Sequence, residues 1–160
     1  MKPPRKPSLP RPGALLPHGP GMTLLDEVLQ LDDEGATCLV RIHPQARFFE
    51  PGRGVPNWVG IEYMAQAIGV HAGHLRTQLG LSVEIGLLLG TRAYDCNHAW
   101  FRDGERVQVR VELLVRDGEG VGAYDCKLGD GREVWSQAQI KAYQPDHIRA
   151  FLDGIYGEKL

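Results

Sequence analysis

Apolar residues recur at steps of three and four through the middle of the chain, which is the spacing of one helix face. They are Trp58, Ile61, Ala65, Ile68, Ala72, Leu75 and Leu79. The pattern predicts a helix over residues 58–79, with Asn57 as its N-cap and Gly80 as its C-terminal glycine cap. Because the segment is apolar on most faces as far as Val70, we expect the helix to be largely buried.

Segments on both sides of this helix have the patterns of strands. Residues 23–31 and 36–42 predict a hairpin. Four strand-like runs follow the helix, separated by turns that contain glycine, at residues 84–100, 105–115, 121–128 and 133–143. A short terminal helix is predicted for residues 146–156. This order predicts an α+β fold in which an antiparallel sheet wraps around one long central helix.

Length and charge limit the classes of protein to consider. The chain has 160 residues, which suits one domain with its own hydrophobic core. Residues 1–12 carry four basic residues interrupted by prolines and are expected to form a disordered arm, with residues 13–160 as the single domain. A net charge of −2 supplies no positive field, so we expect no nucleic-acid partner. No apolar run is long enough to predict a membrane span.

The cysteines, Cys38, Cys96 and Cys126, are odd in number and widely spaced. They lack the CxxC pairs that zinc sites and redox motifs use, so we expect no metal site. Unpaired cysteines of this kind fit a reducing, cytoplasmic setting.

Glu62 is the only charged side chain between Arg53 and His71, and mostly apolar residues flank it. A carboxylate in such surroundings is expected to be partly desolvated and suited to proton transfer near neutral pH. The alternative is a structural carboxylate, hydrogen-bonded to the backbone or to Gln66 one helical turn along. The residues alone leave both interpretations open.

The start of the predicted helix lies within about one turn, roughly 5.4 Å, of Glu62. Free backbone N–H groups at a helix start, together with the helix dipole, can polarise a carbonyl oxygen. Asn57, Trp58 and Gly60 are therefore candidate binding residues, although every helix has such an end and most bind only water or a capping side chain.

Two motifs resemble a known family. Residues 60–67, Gly-Ile-Glu-Tyr-Met-Ala-Gln-Ala, resemble the "E-A-M-A-Q" helix of bacterial 3-hydroxyacyl-ACP dehydratases, and residues 15–28 resemble their opening "L-L-P-H-R-x-P-x-L-L-V-D-R-V". Phe48-Phe49 is similar to a paired phenylalanine in the loop before that helix. The variant around Glu62 most resembles the ApeP-like dehydratase subunits encoded with aryl-polyene biosynthesis genes.

The resemblance implies a hotdog fold and a dimer, either a homodimer or a heterodimer with another hotdog dehydratase. It also implies an acyl carrier protein as partner and no cofactor, because the substrate is carried on the phosphopantetheine arm of that partner. Glu62 corresponds to the catalytic acid, and Asn57 and Trp58 to the amides that bind the thioester oxygen. The family's histidine stands fourteen residues before the acid, where this chain has Phe48. His43 is the weak substitute candidate.

Three functions follow from this comparison of motifs. The first is a dehydratase that eliminates water from 3-hydroxyacyl thioesters in fatty-acid or polyene biosynthesis. The second is a catalytically weakened subunit that pairs with an active dehydratase, which the missing histidine favours. The third is an acyl-thioester hydrolase, which would use the helix carboxylate to activate water.

Overall fold

The computed structural model describes residues 8–17, 20–84, 86–144 and 154. Residues 1–7 of the predicted arm, His18 and all but Gly154 of the predicted terminal helix lie outside these ranges. Pro12, the last residue of the predicted arm, is buried and begins a short helix, α1 (Pro12–Leu15).

Within the described residues, eight strands form two antiparallel sheets. In chain order they are β1 (Glu27–Leu31), β2 (Gly35–Arg41), β3 (Val55–Pro56), β4 (Leu87–Cys96), β5 (Trp100–Phe101), β6 (Arg106–Arg116), β7 (Val121–Gly129) and β8 (Val134–Tyr143). The main sheet has six strands in the order β1-β2-β6-β7-β8-β4, and every neighbouring pair is antiparallel. The small sheet pairs β3 with β5. Strands β1 and β4 are therefore the edges of the main sheet.

The central helix, α2 (Gly60–Gln78), packs against β2, β6 and β7. A short 3₁₀ turn, Asn57–Val59, leads into it. Inward-facing valines of β6, at 107, 109 and 111, meet helix residues such as Met64 and Ala67 in one core. This arrangement confirms the predicted antiparallel sheet wrapped around one long central helix.

The two ends of α2 differ in how well the sequence predicts them. Gly80 has a φ of 71° and its N–H donates to Thr77, while the N–H of Leu81 donates to Arg76. This pair of bonds is the Schellman motif expected of a C-terminal glycine. The predicted N-cap at Asn57 is wrong: Asn57 is the first residue of the 3₁₀ turn, and its side chain caps neither that turn nor α2.

The region after the helix differs in detail from the predicted strand over residues 84–100. Strand β4 ends at Cys96, and Trp100 and Phe101 form the separate β5, which pairs with residues before the helix. Strand β5 is defined by its pairing with β3, which is distant in the sequence. The local pattern of residues around Trp100 therefore does not predict a separate strand. Within the described part of the chain, no helix is long and apolar enough to cross a membrane.

Candidate functional site

Glu62 stands on an open face of α2, at a groove beside the helix. The groove has a volume of about 220 Å³. Its helix side includes Glu62, Ala65, Gly69 and Ala72, and residues from the start of β4 and the end of β8 line it as well. The expectation that Glu62 is partly buried is wrong for this chain by itself, because its side chain is exposed.

Gln66, one turn further along α2, holds the carboxylate of Glu62 in place. The Gln66 side chain is buried, and its Nε2 donates to Glu62 Oε1 at 3.1 Å and to the carbonyl of Met22 at 2.9 Å. Its Oε1 accepts from the N–H of Leu24 at 2.8 Å. The hydrogen bond to Gln66 that a structural role for Glu62 predicts is therefore present. The second carboxylate oxygen of Glu62 has no described partner.

The start of the helix offers fewer free amides than the sequence predicts. The N–H of Asn57 donates to the carbonyl of Ala99 at 3.1 Å, so it is not available to a ligand. The hydroxyl of Tyr94 donates to the carbonyl of Asn57 at 2.6 Å, which fixes the same turn from the other side. Trp58 is exposed, and first-turn N–H groups have no intrahelical acceptor, so its amide remains the candidate donor.

Gly60 is buried where the helix begins, and its role there is close packing. A methyl group added at Gly60 would collide with the hydroxyl of Tyr94 and lie 2.6 Å from a methyl of Leu128. The ring of Phe101 is also close, at 3.3 Å from that added carbon. A glycine is thus required for the helix to approach the sheet, and binding of a substrate by Gly60 remains a prediction.

No described histidine contacts Glu62. His43 is exposed in the loop after β2, and its Nδ1 accepts from the N–H of Gln45 at 3.2 Å. His74 lies 3.8 Å from a carboxylate oxygen of Asp33. His98 packs on the ring of Trp135 at 4.4 Å between centroids. The structure does not bring His43 together with Glu62, so a catalytic role for His43 within one chain has no geometric support.

Phe48 occupies the place where the resembling family has its histidine. It has a φ of 67°, an uncommon conformation for a residue with a bulky side chain. Its exposed ring makes an edge contact with the exposed ring of Trp58, with 5.6 Å between centroids. An apolar aromatic pair, with no titratable group, therefore stands beside the helix start.

His71 is fully buried, which the sequence does not indicate. Its Nε2 lies 3.0 Å from the carbonyl of Asp33, and its Nδ1 lies 2.9 Å from the hydroxyl of Tyr124. A carbonyl only accepts, so Nε2 carries the hydrogen and Nδ1 accepts from Tyr124. Burial lowers the pKa of His71, and it raises the pKa of Tyr124 to about 12. This pair joins the helix to β7 and to the turn after β1.

The cysteines are packing residues in the described core. Cys38 and Cys126 are buried, and burial raises the pKa of each thiol to about 12. Thiols with such values remain protonated and are poor nucleophiles. Across residues 8–17, 20–84 and 86–144, no three His, Cys, Asp or Glu side chains gather as a metal site would require.

Comparison with known proteins identifies the family. A model of the ApeP-like family, described as the ApeP dehydratase, matches residues 10–153. The chain belongs to the ApeP-like dehydratase family. It is a dehydratase-like protein with the hotdog fold, as the motifs around Glu62 predict. No curated protein matches the sequence.

Solved structures agree with this assignment to the ApeP-like family. The dehydratase heterocomplex ApeI:P from Xenorhabdus doucetiae is 30% identical, with a TM-score of 0.80, over 86% of this chain and 92% of that chain. The TT0310 protein from Thermus thermophilus is 15% identical, with a TM-score of 0.58, over 79% and 98% of the two chains. The PaaI protein of E. coli is 12% identical, with a TM-score of 0.57, over 74% and 82%. The last two show the fold alone.

Proposed function

We propose that this chain is one subunit of a two-subunit cytoplasmic dehydratase, to which it supplies Glu62 while the partner supplies the histidine. The observation that carries the proposal is an exposed carboxylate on an apolar groove, with Gln66 as its only described hydrogen-bond partner. An acid that none of the described histidines, His43, His71, His74 and His98, approaches is suited to a site shared between two subunits. The matching heterocomplex from Xenorhabdus doucetiae supports this arrangement.

The substrate in this proposal is a 3-hydroxyacyl chain of polyene or fatty-acid biosynthesis, carried as a thioester on an acyl carrier protein. The N–H of Trp58 binds the thioester oxygen, which makes the C2 proton more acidic. The partner's histidine removes that proton, and the C–H electron pair forms the C2–C3 double bond. Glu62 donates a proton to the hydroxyl group that leaves C3, so water and an enoyl thioester are released.

The surface for a partner is the edge of the main sheet. Strand β4 is an edge strand, and Leu88 and Leu89 expose 49% and 55% of their surface. An exposed apolar edge with unpaired backbone groups is a template for a strand of another chain. A second hotdog subunit paired there would adjoin the groove, because Leu88 also lines it.

The test measures conversion of a 3-hydroxyacyl acyl carrier protein to its enoyl form by mass spectrometry. The chain is assayed alone, then mixed with a hotdog dehydratase that retains a histidine, and then mixed with that partner carrying alanine in place of its histidine. We expect no product from the chain alone, product from the mixture, and none after the partner's histidine is removed.

Glu62→Gln in the mixture is the decisive variant, with Glu34→Gln as its control, because Glu34 is an exposed carboxylate in the turn after β1. Loss of a general acid typically lowers the rate about 10²-fold to 10⁴-fold. Enoyl product from the chain alone would contradict the shared site. Release of free acid would favour the hydrolase, and equal rates for Glu62→Gln and wild type would remove Glu62 from the mechanism.

A further inference from the structure

Tyr94 is the residue of β4 that reaches the start of the helix. Its hydroxyl donates to the carbonyl of Asn57 at 2.6 Å, and the N–H of Gly60 donates to the same carbonyl. The lack of a side chain at Gly60 makes room for this hydroxyl, because a methyl group added there would collide with it. Burial raises the pKa of Tyr94, so its hydroxyl keeps its hydrogen and remains a donor.

A β-bulge in β4 turns the Tyr94 side chain toward the helix start. Ala93 and Tyr94 together stand opposite Ala138, where a regular ladder has one residue on each strand. Ala93 has a φ of 49°, an uncommon conformation for a residue with a side chain, and such strain collects at functional sites. In a regular strand Tyr94 would share the face of Arg92, which is exposed. The extra residue therefore allows Tyr94 to face inward.

The carbonyl of Asn57 and the N–H of Trp58 belong to one peptide unit. This unit is trans, and a trans peptide is planar, so its C=O and N–H point in opposite directions. When Tyr94 fixes the carbonyl, it also fixes the direction of the N–H, which points away from the Tyr94 hydroxyl. A hydrogen bond accepted by the carbonyl also polarises the peptide unit and strengthens its N–H as a donor.

We propose that Tyr94 is a positioning residue for the thioester, because its hydroxyl holds the N–H of Trp58 in the direction of the thioester oxygen. The inference rests on the proposed function for the ligand of that N–H. Tyr94 acts through Asn57, whose carbonyl occupies its hydroxyl, and not by touching the substrate. Without the hydroxyl the N–H is present but free to tilt, and a misplacement of about 1 Å can cost roughly 10²-fold in rate.

The test measures the infrared frequency of a thioester carbonyl bound to the protein, which does not require turnover. The probe is butanoyl-pantetheine labelled with carbon-13 at its carbonyl, which has no hydroxyl group at C3 and cannot lose water. It is added to the full chain, alone and mixed with the histidine-bearing partner of the enoyl assay. We expect wild type to lower the carbonyl frequency, because a hydrogen bond weakens the C=O bond. Tyr94→Phe should lose most of this shift.

Tyr124→Phe is the matched control, because it removes a second buried tyrosine hydroxyl, whose partner is His71 and not the helix start. This control should retain the frequency shift and a kcat close to that of wild type in the enoyl assay. Tyr94→Phe should lower kcat by up to about 10²-fold with little change in KM, because an aligned N–H acts mainly on the transition state.

A tyrosine analogue at position 94 keeps the test decisive if Tyr94→Phe fails to fold. In 3-fluorotyrosine the shape is nearly unchanged and the hydroxyl is a stronger donor, so it should lower the carbonyl frequency further, which a purely structural role would not do. A wild type without a shift, a Tyr94→Phe protein that keeps it, or an analogue with the wild-type frequency would overturn the inference. A frequency shift without enoyl product would contradict only the proposed function.

Discussion

The hydroxyl of Tyr124 lies 2.9 Å from Nδ1 of His71, in a part of the core that water does not reach. Tyr124→Phe would remove the donor and leave Nδ1 as an unpaired buried acceptor. We expect a loss of about 1–3 kcal/mol in the free energy of unfolding, measured with urea. The control is a double-mutant cycle with His71→Leu, in which the second substitution should cost less once the first is present. Additive costs would show that the bond contributes little.

The same histidine should make stability depend on pH. Burial lowers the pKa of His71 below the ordinary value of 6.5. Above that value the imidazole is neutral in both the folded and the unfolded chain. As the pH falls below it, the unfolded chain binds the proton first, so stability decreases toward the folded pKa by up to about 1.4 kcal/mol per pH unit.

Urea unfolding of wild type and His71→Gln between pH 7 and pH 5 measures this effect. The variant should be less stable at pH 7 but should lose less stability on acidification. His43→Gln, at an exposed histidine, should keep the wild-type dependence. If the free energy of unfolding falls equally with pH in wild type and His71→Gln, the acid sensitivity arises from other residues.

Gly60 and Gly69 lie on the same helix, but substitution by alanine should lower the stability of the protein at Gly60 and raise it at Gly69. At Gly60 the added methyl meets Tyr94, Leu128 and Phe101, so we expect overpacking to cost about 1–3 kcal/mol. At Gly69 it meets only the flexible end of Leu16, at 2.8 Å, and alanine favours a helix interior by up to about 1 kcal/mol. Thermal unfolding of both variants tests this, and a stabilised Gly60→Ala would contradict the packing role.

Gln66 should contribute to stability as well as to the orientation of Glu62. Gln66→Leu leaves the N–H of Leu24 and the carbonyl of Met22 without their side-chain partner. We expect a loss of roughly 1–3 kcal/mol in urea unfolding. Gln78→Leu, at an exposed position of the same helix, should change stability by less than about 0.5 kcal/mol. Similar costs for the two variants would argue against a role for the Gln66 network.

The sequence predicts the architecture better than it predicts the surroundings of its polar residues. The helix and the strands follow from periodicity, because the burial of one face repeats along each element. The burial of His71 does not follow from the helical pattern, because its partners, Asp33 and Tyr124, are distant from it in the sequence. The sequence predicts that Glu62 is partly buried, but its side chain is exposed. A helix that is apolar on most faces does not show which of those faces has no other element packed against it. Such contacts depend on packing between elements, which periodicity does not encode.

Leu89 offers a test of the sheet edge that leaves the groove intact. It is 55% exposed on β4 and does not line the groove, unlike its neighbour Leu88. If β4 pairs with a second hotdog subunit, Leu89→Lys places a charge in the buried interface. We expect association to weaken by roughly tenfold or more, because changing a residue near the centre of an interface typically costs more than about 1 kcal/mol of binding free energy. The control is Leu114→Lys, which changes an equally exposed leucine on β6, inside the sheet order. Analytical ultracentrifugation of the chain with its partner measures both. If Leu114→Lys weakens association and Leu89→Lys does not, the interface lies on the outer face of the sheet and not along its edge.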